Sequence, residues 1–100
     1  MDINVKVRRL INRESTPVKA ICSVTLGDQY AVHGVKVIET NGTRIMAMPH
    51  ESFKDAENNT KYRDIFHPVT SDARRAMEAA VFAAYDAVKA TESTENDIED

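Results

Sequence analysis

The stretch VHGVKVIETNGTRIMAMP, residues 32–49, decides how this chain must be read. Asn41-Gly42 sits between two runs rich in β-branched residues. A type I′ turn needs positive φ at both central positions, and Asn-Gly supplies that with little strain. The reading is a tight hairpin, with one strand from about Tyr30 to Glu39 and the next over TRIMAM, ending at Pro49. Gly34 interrupts the first strand and marks a bulge or kink.

The period of two continues upstream. Val18, Ala20, Cys22, Val24 and Leu26 alternate onto one face, and Gly27-Asp28 provides a second short hairpin turn before Tyr30. Ile3, Val5 and Val7 alternate likewise, but the phase slips at Arg8-Arg9 before Leu10 and Ile11, and a bulge there would restore it. Downstream, HESFKDAENNTK (50–61) has no period and reads as a mobile loop, and YRDIF (62–66) as a short strand or extended piece. His67 precedes Pro68 and is biased toward extended backbone.

A helix follows. Thr70 or Ser71 caps it, and Asp72 favours the positive end of its dipole. Ala73, Met77, Ala80, Val81, Ala84, Tyr85 and Val88 recur at spacings of three and four, the stripe that should lie on the sheet. Ala76, Ala79, Ala83, Ala87 and Ala90 form a second, small-residue row. They are either good helix formers in solvent or a close-packing face for a partner. Phe82 belongs to neither face, so it is expected to be exposed or covered by a second chain.

Four consecutive strands, an extended segment and one long helix define an α+β fold. The expectation is an antiparallel sheet of four to five strands with a C-terminal helix packed on it. Residues 1–91 form one domain and residues 92–100 an acidic, disordered tail. A 100-residue chain has a thin margin of stability, so homodimerisation through sheet or helix is expected.

Charge sharpens the reading. The net charge is −3, but ESTENDIED at the end carries five acids and no base. Without it the chain has 13 basic and 11 acidic side chains. A mildly basic body suits a polyanion partner, for which the tail would compete. Arg63, Arg74 and Arg75 flank the helix start, with Arg44 and Lys61 nearby in sequence and Arg8 and Arg9 in the first strand. Free N–H groups at a helix start and forked guanidinium groups both suit phosphate oxygens. The competing reading pairs them internally: Arg74 with Glu78, Arg63 with Asp64 or Asp72.

Other chemistry is poorly supported. His33, His50 and His67 lie in different elements with no ligand spacing, and Cys22 is in phase with core residues. Ser71 and Thr70 serve as caps, and Gly27, Gly34 and Gly42 make no phosphate loop. No enzyme, cofactor, metal or small-molecule substrate is expected. The start MDINVKVRR lacks the apolar core of a signal peptide, and the longest apolar run, AAVFAAY, is too short for a bilayer. A cytoplasmic protein without membrane attachment is the default.

VHGVKVIETNG, MAMP, YRDIFHPV and the first arginine of DARRAM together resemble the SpoVG family, septation and sporulation regulators of bacteria. The likeness runs from about Asn4, through VKVRRL and KAICSVTL, to Tyr85. It implies a small cytoplasmic dimer, a sheet with a C-terminal helical part, and DNA binding, in some members RNA binding, in the service of gene regulation. The basic helix after the His-Pro step is implicated in choosing the DNA site, which points here to Arg74 and its neighbour Arg75. The chain departs from the family at His50, Glu51 and Ser52, where a basic pair is usual, at Gly34, often Asp, and at Ala76, often Lys. Those changes imply fewer phosphate contacts. The alternative function is a protein-interaction module in cell division that binds no nucleic acid.

Overall fold

The structure, a computed structural model, describes residues 1–11 and 13–91. Six strands precede one helix: β1 (Ile3–Leu10), β2 (Val18–Leu26), β3 (Tyr30–Thr40), β4 (Thr43–Ala47), β5 (His50–Lys54), β6 (Thr60–Asp64) and α1 (Ser71–Thr91). Strands β1 to β4 form an antiparallel sheet in sequence order, and β5 and β6 form a separate two-stranded ribbon. The expected α+β architecture is therefore present. The expectation of a disordered acidic tail falls on residues 92–100, outside the described residues.

Both tight turns have the backbone their residues demand. Gly27 and Asp28 have φ of 58° each, and Asn41 and Gly42 have φ of 52° and 77°. Positive φ at both central residues matches the right-handed twist of the flanking strands. The two expected bulges are also there. The β1–β2 register shifts between Val7 and Arg9, and the β2–β3 register shifts between Cys22 and Ser23, opposite Gly34. Each bulge restores the apolar alternation beyond it, so Val7 and Leu10, and likewise Val32 and Val35, all reach the core.

The core lies between one sheet face and α1. Ala20, Cys22, Val24, Val35, Val37 and Met46 from the sheet meet Met77, Val81 and Tyr85 from the helix. Ala80, Ala84 and Val88 of the expected stripe are half-buried, while Ala73 at its start is exposed. The helix packs chiefly on β1. Thr70 caps it: its Oγ1 accepts from the Ala73 N–H at 3.0 Å, the bond that satisfies an otherwise orphaned first-turn donor.

Two expectations are corrected. Residues 50–61 are not one loop; β5 and β6 pair over five positions from His50↔Asp64 to Lys54↔Thr60, and only 55–59 form the turn between them. Phe82 is not fully exposed. It is half-buried, with the Arg44 guanidinium 4.6 Å from its ring centroid. That cation–π contact shields one ring face from water within the same chain.

Candidate nucleic-acid interface

The seven candidate cations occupy three separate places. Arg74 and Arg75 stand in the first turn of α1, at the seam with β4. The Arg74 Nη2 lies 3.5 Å from the Met46 carbonyl, and its Nε is 3.4 Å from the Glu78 carboxylate, one turn further on. Arg75 pairs with Asp72 across a single turn. Arg44 of β4 reaches the same helix further along, where its Nη1 is 2.7 Å from Asp86.

Arg63 and Lys61 lie on the β5–β6 ribbon. Arg63 Nε is 2.6 Å from Glu51 Oε1 on the facing strand, and its guanidinium covers the Phe53 ring at 4.9 Å. Its partner is thus Glu51, neither Asp64 nor Asp72. Register makes the choice, since Glu51 and Arg63 are directly opposed on one face of the ribbon.

Arg8 and Arg9 lie elsewhere again. Arg8 is the extra residue of the β1 bulge, and its Nε donates to Ser23 Oγ at 3.1 Å. Ser23 Oγ in turn lies 2.7 Å from His33 Nδ1. Arg8, Arg9, Ile21, Cys22, Ser23, His33 and Gly34 line an open hollow of about 460 Å³ beside the two bulges. This Arg8–Ser23–His33 chain was not legible as a unit, because the bulges decide which residues meet. The sequence signal that existed was alternation: Ser23 falls opposite in phase to Cys22 and Val24.

Internal pairing of the arginines is real but weak in energy. Exposed ion pairs typically contribute ~0–1 kcal/mol and are screened by salt. The side chains of Arg74 and Arg75 remain 45% and 68% exposed. A polyanion offering several phosphates at once can displace single carboxylates of this kind, because released counterions add to the binding free energy.

The remaining titratable groups serve structure. Burial pushes the Cys22 thiol up to about 11, so it stays protonated and acts as a small apolar side chain. The Tyr85 phenol is pushed up to about 12 by burial first and by the neighbouring Glu39 carboxylate second. Its hydroxyl donates to Glu39 Oε1 at 3.2 Å, joining helix to β3. His50 stacks edge-on against Tyr62, and His67 Nδ1 lies 3.0 Å from the Pro68 carbonyl. Among the described residues no group of three His, Cys, Asp or Glu side chains is arranged to hold a metal ion.

A four-stranded antiparallel sheet, a single covering helix and a two-stranded ribbon define a small α+β module. The SpoVG family profile matches residues 1–87. The chain belongs to the SpoVG family. It is 33% identical over 97 residues to a Clostridium acetobutylicum protein named provisionally as septation protein SpoVG, covering 97% of this chain and 96% of that one. Counterparts bearing the same name in Finegoldia magna and Brevibacillus brevis are 39% and 38% identical, over 84% and 85% of this chain and 70% and 83% of theirs.

Proposed function

We propose that this protein is a cytoplasmic, non-catalytic regulator that binds DNA, and RNA as a second ligand, as a homodimer, and that it acts on septation or sporulation. Arg74 and Arg75 are the primary contacts; Arg63, Arg44, Lys61, Arg8 and Arg9 add phosphate contacts. One observation carries this reading most: in a chain of this family, two adjacent arginines at the start of a capped helix keep their side chains 45% and 68% exposed. Each has one surface carboxylate, which a phosphate backbone can replace. No helix among the described residues is long and apolar enough to cross a membrane. Pairing of two chains is supported by the apolar surface around the ribbon, where Tyr62, Ile65 and Val69 are 68%, 66% and 84% exposed.

The test is fluorescence anisotropy with duplex DNA and with RNA across a salt series. Arg74→Ala with Arg75→Ala should weaken binding and flatten the plot of log affinity against log salt by about one unit per lost phosphate contact. Unchanged affinity and slope would reject the helix start as the site. A second reading, a protein-interaction module, is favoured by the exposed row Ala76, Ala79, Ala83, Ala87 and Ala90, which no other part of the described chain covers. Absence of any nucleic-acid shift at low salt would select it.

A further inference from the structure

We propose that one face of the β5–β6 ribbon is a base-stacking site for single-stranded nucleic acid, where Phe53 and Arg63 carry a nucleobase and Lys61 holds the neighbouring phosphate. This rests on the nucleic-acid reading above and deepens it. Arg63 and Lys61 become contacts to an unpaired strand, at a place separate from the helix start.

The register builds the face. Glu51 is opposed to Arg63 and Phe53 to Lys61, so these side chains project to one side of the ribbon. His50, Ser52, Tyr62 and Asp64 project to the other. The Arg63 guanidinium lies over the Phe53 ring, 4.9 Å from its centroid, and the arginine side chain is 64% exposed. The guanidinium thus rests on the ring with one flank and meets solvent with the other. Aromatic rings and guanidinium planes are the surfaces on which unpaired bases stack.

Glu51 fixes the platform. Its Oε1 accepts from Arg63 Nε at 2.6 Å. The other donors of the guanidinium sit on its two Nη atoms. Held by a carboxylate at its edge and a ring at its face, the group has less freedom to lose when a base arrives. Lys61 stands directly across from Phe53, with Cβ atoms about 5 Å apart. Its flexible four-carbon stem can follow the phosphate of the stacked nucleotide.

Charge selects the occupant. The face carries Lys61 and Arg63 against Glu51 alone. A second copy meeting it across a two-fold axis would set these cations against their own kind, whereas a strand of phosphates complements them. Stacking then selects the form of that strand, because a base inside a duplex is covered by its neighbours on both faces. Among the described residues β5 and β6 pair only with each other, and all their residues are exposed.

The experiment uses the full chain and fluorescence anisotropy with probes of equal length: oligothymidine, oligouridine, an abasic deoxyribose-phosphate strand and a duplex. The base-bearing strands should bind more tightly than the abasic one, and the two sugars separate DNA from RNA as the ligand. Phe53→Ala should weaken base-bearing strands roughly 5- to 150-fold, the range for one stacked base, with unchanged salt slope and unchanged duplex affinity. Arg63→Lys keeps the charge and loses the plane, so it should reduce the preference for bases while keeping the slope. Lys61→Gln should flatten the slope by about 0.7. In the unaltered protein, oligothymidine should slow amide exchange in β5 and β6, and the abasic strand should do so less. Equal affinity of the wild type for base-bearing and abasic strands, or a base preference that survives Phe53→Ala, overturns the ribbon site and leaves the helix start standing. No binding of any probe at low salt overturns both.

Discussion

The β3–β4 and β5–β6 hairpins are each paired over five positions, yet they live in different environments. In the first, Val37 and Met46 are 0% and 1% exposed, because β2 pairs on one side and α1 covers one face. In the second, all ten strand residues are exposed. A two-stranded hairpin alone is marginal in water, so β5–β6 relies on local devices. Asp55 Oδ1 accepts from the N–H groups of Glu57 and Asn59 at 2.9 and 2.8 Å, which closes the turn. Glu51–Arg63 and His50–Tyr62 brace the strands. Ile65 N–H donates to the Pro49 carbonyl at 2.8 Å and anchors the ribbon's base. Strand pairing and strand burial are thus separable: one is set by backbone and turn, the other by what lies across the face.

Five measurements probe that contrast. The largest effect should come from Met46→Ala, which leaves a cavity under α1 and should lower stability by ~2–5 kcal/mol in a denaturant titration. A cost near zero would mean that the β3–β4 hairpin is no better packed than the ribbon.

Alkaline pH should act next, again on the buried region. Cys22 and Tyr85 are raised from 9.0 and 10.0 to about 11 and about 12 on folding. Above pH 9 the unfolded chain therefore binds fewer protons than the folded one, and stability should fall from about pH 9 to about pH 12. Cys22→Ala should make the early part of that fall shallower in a pH series of melting temperatures. An identical profile would remove the thiol from the account.

The smallest effect on chain stability should come from the ribbon. Phe53→Ala should change stability by less than ~0.5 kcal/mol, as expected for an exposed site. Amide hydrogens of β5 and β6 should exchange well ahead of those of β2. If the ribbon is where two chains meet, Tyr62→Ala should shift the monomer–dimer balance in sedimentation by more than it lowers monomer stability. A large stability loss that is independent of protein concentration would show that the ribbon is integral to the core.

Much of this architecture was legible in advance. Asn41-Gly42 and Gly27-Asp28 announced their turns, and the phase slips at Arg8-Arg9 and Gly34 announced their bulges. The three-and-four spacing from Met77 to Tyr85 named the helix face. All are local signals, each set by a residue and its near neighbours. The ribbon was missed for a physical reason. A strand exposed on both faces has no burial to enforce alternation, so HESFK and TKYRD carry no period of two. The candidate cations were legible as residue types, while their partners were not. Arg44 finds Asp86 and Phe82 across 42 and 38 positions, and Arg63 finds Glu51 through register.

The amino-acid order by itself determined the turns, the bulges, the helix and its cap, because backbone φ preferences, hydrogen bonding and side-chain period act over a few residues. Only the tertiary structure decided that Ser23 would join Arg8 to His33, that Phe82 would lie under Arg44, and that the basic side chains would divide among helix start, ribbon and the bulge of β1. Those outcomes depend on which strands become neighbours and in what register, and that is settled by burying one continuous core.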